Sequence, residues 1–285
     1  MPELPEVQTI VGDLEQKIKG DTIVGFWSDW RKAIRMPLRR FTAGIKNKKI
    51  LKAERIGKYI ALKLSGDKIL LIHLKMTGHL LVKKEKLKVK SQGKDYFADR
   101  VNQYIHHIFY LKSGRTLEFS DVRKFGKIIL VDADRMGDLP EIKKLGVDAL
   151  NKNLTFQKLE DILKKKKTPI KQLLMDQQEI AGIGNIYASE ILHTAGILPD
   201  RLASELNLNE KKRIYAAIKK ILEKAIELRG TSDSDYRDTS GAPGKFQEIL
   251  KVYRRAGKKC RKCDTIIQRS VIGQRSSFFC PQCQK

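Results

Sequence analysis

Cys260-x2-Cys263 and Cys280-x2-Cys283, with 16 residues between the pairs, constrain the end of this chain more tightly than any other feature. Each pair can supply two thiolates from one tight knuckle, and the residues between can close a hairpin. That spacing is the pattern of a four-thiolate zinc site. Four protein ligands leave no open position, so the ion is one structural Zn2+ and not a catalytic metal. Two redox dithiols or disulfides are the competing reading. All four cysteines lie in the last 26 residues, unlike the spread of a secreted disulfide scaffold.

The 285 residues suggest two domains, or one with an appendage. Apolar positions Leu4, Val7, Ile10, Val11, Leu14 and Ile18 have helical spacing. From about 21 to 131 the texture is short β-type runs (22–26, 59–64, 68–73, 105–112, 116–120, 127–131) with turn signals between them. This predicts an antiparallel sandwich or barrel. Residues 83–94 are lysine-rich with few apolar anchors and read as a solvated loop or hairpin tip. Residues 133–152 read as a linker. Helices are expected near 155–166, 168–176, 185–195 and 208–229, and a mobile loop at 231–245. The fold class is therefore α+β: an N-terminal helix and β-sandwich domain over 1–132, a helical domain over 153–247, and a zinc β-hairpin over 248–285.

The formal net charge of +25 points to a polyanion, most simply nucleic acid. No apolar run approaches the ~18 residues of a membrane span. The acidic N-terminus is not a secretory signal. The expectation is a soluble, intracellular protein, monomeric by default, with no membrane partner.

Removal of Met1, which a small second residue permits, would leave Pro2 with a free secondary amine. Free α-amino groups titrate near ~7.7–8.0, so this one is a usable nucleophile. Glu3 and Glu6 place carboxylates one and four residues downstream, suited to proton transfer. A plain helix start, with Pro and acids in the first turn, has the same sequence. Gly184-Asn185 opens a helix and offers an anion site, as an ordinary helix junction also would. Lys164 to Lys167 and Lys171 add charge nearby, or form a solvated face. His73-Leu74-Lys75-Met76-Thr77-Gly78 and Asp121-Val122-Arg123-Lys124-Phe125-Gly126 combine apolar and basic side chains in turns. Such wedges fill the space left by an extruded base, although taken singly Met76 and Phe125 are more often core residues. Lys58 reads as a surface lysine or a strand-opening functional one. Arg275 sits where the cysteine hairpin should turn, as a phosphate clamp or as one basic surface residue among many.

Together these motifs resemble the formamidopyrimidine-DNA glycosylase family, bacterial enzymes that remove oxidised purines. The likeness runs from Pro2-Glu3-Leu4-Pro5-Glu6-Val7 through Gly57-Lys58-Tyr59, the two wedge turns, Ile183-Gly184-Asn185-Ile186-Tyr187-Ala188-Ser189-Glu190 and the four cysteines. It implies a helix–two-turn–helix domain carrying the zinc hairpin. It implies that Pro2 attacks the sugar C1′ as a Schiff base, that Glu3 shuttles protons and that Glu6 anchors the turn. Lys58 would bind phosphate and assist β-elimination, and Arg275 would assist δ-elimination. Met76, Arg123 and Phe125 would fill the duplex, while Tyr104, His106, Lys166, Lys171 and Asn185 would contact DNA. The 231–245 loop would close over the flipped base. No organic cofactor is implied. The partner would be damaged double-stranded DNA, in the bacterial cytoplasm at the nucleoid.

Three positions depart from the family pattern. Gln103-Tyr104-Ile105-His106 stands where Lys-His-x-His is common, Val122 where Pro is, and Lys124 where Arg is. An oxidised-pyrimidine enzyme resembling endonuclease VIII is the nearest alternative, though Leu4 favours the purine branch. A non-catalytic DNA binder would not need Pro2, Glu3 and Lys58, and an RNA-associated zinc protein leaves the N-terminus unexplained.

Overall fold

Leu4, Val7, Ile10, Val11 and Leu14 share one face of α1 (Leu4–Lys17) and are all buried. Pro5 falls in the first turn, where the helix has no use for its missing N–H. The computed structural model describes residues 1–84, 95–233 and 235–285. The lysine-rich stretch from residue 85 to 94, and Ser234, lie outside the described residues. Two compact units share the chain: Met1–Lys143 with Leu228–Gln247, and Lys144–Glu227 with Glu248–Lys285.

The first unit continues with β1 (Thr22–Ser28), α2 (Leu38–Ile45), β2 (Lys48–Ile56), β3 (Tyr59–Leu64), β4 (Lys68–His73), β5 (His79–Lys84), β6 (Ile105–Leu111), β7 (Arg115–Ser120), β8 (Lys127–Asp132) and α3 (Pro140–Lys143). The strands run in the order β5-β7-β6-β1-β2-β3-β4-β8, all antiparallel. β1 meets β2 only at Thr22–Lys49 and Ile23–Lys48, and a bulge follows between Ile23 and Gly25. The short junction leaves two four-stranded halves that share one core. Phe109, Leu117 and Phe119 from one half meet Ile60, Leu62, Leu70 and Ile72 from the other, with Val7, Ile10 and Leu14 of α1 among them. This is the expected antiparallel sandwich.

β3 and β4 read as nearly continuous apolar runs because both their faces are covered. Ala61, Ile69, Leu71 and Ile129 form a second layer under Met136, Leu139 and Ile142. Those three residues belong to the stretch expected as a linker, 133–152. Its first part is a 3-10 turn (Ala133–Asp138) and α3, packed on the sheet. Apolar residues spaced through polar ones hid that role. Three elements escape sequence reading: α2 buries only Phe41 and Ile45, β2 is rich in charge, and β5 runs into the lysine segment.

The second unit holds β9 (Val147–Asp148), α4 (Phe156–Lys165), α5 (Ile170–Met175), β10 (Ile180–Ala181), α6 (Asn185–Ala195), α7 (Leu208–Glu227), β11 (Gln268–Ile272) and β12 (Arg275–Phe279). The Thr155 hydroxyl accepts from Lys158 N–H and caps α4. α6 stops at Gly196, which takes the left-handed φ of 71°. β9 pairs with β10, so the turns between α5 and α6 are braced by strand residues. The Glu190 carboxylate of α6 accepts from the N–H groups of Lys251, Val252 and Tyr253, all at 2.9 Å, and so holds the start of the cysteine module.

Leu228–Gln247 belongs to the sandwich unit, not to the helical one where the sequence placed the 231–245 loop. Side-chain bonds to Glu6 and Asp13 decide this.

Candidate functional site

The amino-terminal turn is held by Glu6. Its Oε2 accepts the Glu3 N–H at 2.7 Å, half of a reciprocal capping box with Glu3 at the N-cap. Its Oε1 accepts the Thr231 N–H at 2.8 Å. Gly230 has φ 81°, and a Cβ there would lie 2.7 Å from Glu6 Oε1, so only glycine lets this segment reach the carboxylate. Pro2 and Glu3 are buried in this turn and Met1 is exposed. The helix start and the buried Pro2-Glu3 turn are thus one arrangement.

Lys58 lies in the Gly57-Lys58 turn that joins β2 to β3, with Ile56 paired to Tyr59. It is only 6% exposed, which excludes the surface-lysine reading. His73, opposite Tyr59 in β4, accepts the Lys75 N–H on Nδ1 at 2.9 Å. Burial, then the charges of Lys75, Lys58 and Lys127, push its pKa down to about 3. His73 therefore stays neutral beside this lysine cluster.

Met76 and Phe125 are 38% and 47% exposed, so neither is core. Their two turns share one support, Asp121, whose carboxylate is fully buried. Oδ1 accepts from the Thr77 hydroxyl and from Arg123 N–H, and Oδ2 from Phe125 N–H at 2.9 Å and Gly126 N–H at 2.8 Å. The Arg123 guanidinium lies 4.5 Å from the Phe125 ring centroid. Asp121 stands at the head of its motif, yet its part as a hub shows only once the chain is folded. Tyr104 receives a hydrogen bond from Arg100 Nε at 3.2 Å, and its carbonyl accepts from Asp121 N–H. His106 is nearly buried, with Nδ1 at 2.9 Å from Asp29 Oδ1.

The Leu228–Gln247 segment is tied to α1 and β5. The Arg229 guanidinium binds Asp13 at 2.6 Å and Asp238 at 2.7 Å. The Thr239 hydroxyl donates to Asp13 at 2.8 Å, and Lys17 donates to it at 2.7 Å. Val82 N–H of β5 donates to the Thr239 carbonyl. Tyr236 is buried in the sandwich core. None of Asp13, Arg229, Asp238 or Thr239 was legible as a site residue: Arg229 and Asp238 are only nine residues apart, but Asp13 lies 216 residues from Arg229 and 226 from Thr239, and such pairs leave no local pattern.

In the second unit, Gln177 holds the glycine turn through Gly182 N–H and the Ile183 carbonyl. Asn185 begins α6, and its Oδ1 is buried with no hydrogen-bond partner among the described residues. Lys166 pairs with Glu179 at 2.8 Å, which raises its pKa. Lys171 departs from the phosphate contact expected of it. It is 1% exposed, and its ammonium donates to Ser276 O and Ser277 Oγ, both at 2.8 Å. Its place is against β12. Gly273 and Gln274, at φ 53° and 62°, form the tight hairpin turn, and Arg275 follows it, exposed.

The four cysteine Sγ atoms lie within 4.8 Å of one another. Cys260–Cys283, Cys263–Cys280 and Cys263–Cys283 separations are 3.9, 3.4 and 3.3 Å, too long for a disulfide. A tetrahedral Zn–S bond of ~2.3 Å requires sulfurs about 3.8 Å apart, so the residues fit the ion. Backbone N–H groups of Lys262 and Cys283 face Cys260 and Cys280 Sγ at 3.4 Å, the usual support for thiolates.

A helix-capped sandwich, a helix–two-turn–helix segment and a four-thiolate zinc hairpin match three family models in that order. They are the formamidopyrimidine-DNA glycosylase N-terminal domain over residues 1–128, its H2TH domain over 145–237, and the zinc finger found in FPG and IleRS over 257–285. The formamidopyrimidine-DNA glycosylase of Pelotomaculum thermopropionicum is 44% identical, over 100% of this chain and 99% of its own. A Lactococcus lactis Fpg in complex with DNA containing an abasic site superposes with TM-score 0.87 at 29% identity, covering 99% of both chains. The MutM (Fpg) protein of Thermus thermophilus gives 0.85 at 34% identity, covering 99% and 98%. The chain belongs to the formamidopyrimidine-DNA glycosylase family, and so to the DNA glycosylase/AP lyases of base-excision repair. It binds DNA, and its cysteine module is a structural zinc site.

Proposed function

We propose that this enzyme removes oxidised purines, 8-oxoguanine and formamidopyrimidines, and then nicks the strand through a covalent intermediate on Pro2. The observation that carries this reading is the amino-terminal turn: Pro2 and Glu3 are buried and locked by Glu6, which also holds Thr231. Once Met1 is removed, the Pro2 nitrogen attacks C1′, the bond from C1′ to the base breaks with its electron pair going to the base, and the proton shed by the Pro2 nitrogen balances the one the departing base takes up. Glu3 delivers a proton to the opening sugar. A secondary amine gives a cationic iminium without further proton loss. That cation acidifies the C2′ proton, whose departure expels the 3′-phosphate, and a second elimination expels the 5′-phosphate. Water then releases Pro2. Lys58 and Arg275 serve the two eliminations.

Met76, Arg123 and Phe125 fill the duplex where the base has left, and Arg123 faces the opposite cytosine. The turn-bound, exposed positions of all three support this. Tyr104 and His106 line the DNA on the sandwich unit, and Lys166 and Asn185 on the helical one. Lys171 acts on DNA through the hairpin strand it holds. The functional division is 1–132 for chemistry, 153–227 for phosphate binding and 248–285 for the zinc hairpin, with 231–245 closing over the flipped base as part of the sandwich unit. Zinc, when bound, fixes the hairpin that carries Arg275. The enzyme works as a monomer on the bacterial nucleoid, in the cytoplasm. Among the described residues no helix is long and apolar enough to cross a membrane.

Borohydride trapping on duplex DNA tests the assignment. Protein lacking Met1 should give a covalent adduct with 8-oxoguanine opposite cytosine. Protein retaining Met1 has an amide nitrogen at Pro2 and should bind the same duplex without cutting it. An adduct formed only with oxidised pyrimidines would move the enzyme to the endonuclease VIII branch. No adduct with any lesion would end the lyase assignment for this chain.

A further inference from the structure

His79 opens β5 and is fully buried, with Nε2 at 2.7 Å from Asn102 Oδ1. Asn102 is also fully buried and donates from Nδ2 to the Tyr96 carbonyl at 2.7 Å and the Gly241 carbonyl at 3.1 Å. Carbonyls only accept, so this amide orientation is fixed and Oδ1 must receive the His79 proton. The tautomer follows from that network: Nε2 carries the hydrogen, and Nδ1, 3.4 Å from the Thr77 carbonyl, has none to give. Burial pushes the His79 pKa down to about 4, so the ring stays neutral.

His79 is two residues along the backbone from Thr77 of the wedge turn, and the amide it binds is hydrogen-bonded to the lesion loop. Thr77 neighbours Met76 and supports the wedge through Asp121. Gly241 lies in the 238–242 turn of the lesion loop, closed by Asp238 on the N–H groups of Ser240 and Ala242 at 2.8 and 3.1 Å. Gly241 has φ 78°, and a Cβ there would lie 2.8 Å from Asn102 Nδ2 and 3.2 Å from the Tyr96 carbonyl. The loop turn is therefore seated directly on the asparagine.

We propose that His79 and Asn102 are positioning residues that couple the Met76 wedge turn to the lesion loop, so that filling of the duplex and closure on the extruded base are set together. This rests on the reading of 231–245 as the loop that closes on the base. An abasic site offers no base to hold, so the coupling matters for base excision and not for strand cleavage at a site already abasic.

Single-turnover rates on the two substrates, 8-oxoguanine opposite cytosine and a preformed abasic site, separate these. Asn102→Ala takes the amide donor from the Gly241 carbonyl and the acceptor from the His79 imidazole, while the Tyr96 carbonyl keeps the Asp99 N–H, and should slow base excision about 10- to 100-fold, with abasic-site cleavage within about twofold. Asn102→Asp keeps the acceptor for His79 but loses both donors, and should behave like Asn102→Ala. His79→Gln can still donate to Asn102 and should recover most of the excision rate. Gly241→Ala reaches the same contact from the loop side and should give the same selective defect even if Asn102 variants fold poorly. Equal loss on both substrates, or no loss on either, overturns the coupling. Failure of the wild-type protein to trap any adduct would instead overturn the glycosylase chemistry, a different result.

Discussion

Glu6 and Thr231, 225 residues apart in the chain, are joined by a 2.8 Å hydrogen bond from backbone N–H to carboxylate. The other oxygen of the same carboxylate holds the Glu3 N–H. One buried side chain thus positions both the amino-terminal turn and the entry to the lesion loop. In Glu6→Gln an amide NH2 must face one of those two N–H groups, leaving a buried donor unpaired at a cost of about 1–3 kcal/mol. The expected outcome is a lower melting temperature and slower borohydride trapping on both lesion and abasic DNA. Wild-type trapping rates in Glu6→Gln would show that this carboxylate does not set the nucleophile.

Asp121 has four donors on two oxygens, from Thr77, Arg123, Phe125 and Gly126. Asp121→Asn turns one of those acceptors into a donor and should loosen the Arg123–Phe125 pair. Binding to 8-oxoguanine opposite cytosine should weaken toward its affinity for the same lesion opposite adenine. Unchanged discrimination would remove Asp121 from the recognition of the opposite base.

Both tryptophans, Trp27 and Trp30, lie in the sandwich unit, so tryptophan fluorescence reports that unit alone. Native mass spectrometry should find one zinc. Stripping it should lower DNA affinity while leaving the tryptophan spectrum unchanged. Full DNA affinity in zinc-free protein would contradict a hairpin that depends on the ion.

His73, His79 and His107 are buried with pKa values pushed down to about 3, 4 and 4, chiefly by burial. Each binds a proton in the unfolded chain near pH ~6.5 that the folded chain refuses. Their contribution to stability is whole above that value and is lost as pH falls toward about 4. Each histidine steepens the fall by up to about 1.4 kcal/mol per pH unit. His107, set among Phe26, Trp30 and Phe119 with neither ring nitrogen hydrogen-bonded among the described residues, is the clearest case. Urea melts followed from pH 7 to 5 should lose stability, and His107→Leu should lose it less steeply.

Lys166 and Lys171 should separate in a salt titration of DNA binding. Affinity should fall steeply with salt as phosphate contacts release counterions, and Lys166→Ala should reduce the slope of log K against log salt by about 1. Lys171→Ala, which leaves Ser276 O and Ser277 Oγ without their ammonium, should instead destabilise the hairpin and slow Arg275-assisted cleavage. A slope change for Lys171→Ala equal to that for Lys166→Ala, with the hairpin intact, would return Lys171 to the phosphate contacts.

The helical spacing of α1, most of the strands of the sandwich, the glycine turn before Asn185 and the zinc hairpin are legible in the chain alone. Each of these is a local pattern, with its period or spacing written in consecutive residues. The resemblance built on those patterns carried the family. Folding alone settled that 133–143 covers a sheet face, that Leu228–Gln247 belongs with α1, and that Lys171 faces β12. It also decided that Met76 and Phe125 stand exposed on Asp121 while Lys58 is buried. The physical reason is common to all of them. A buried carboxylate, ammonium or amide takes whichever partners the folded chain brings within about 3 Å, and those partners leave no mark on its sequence neighbours.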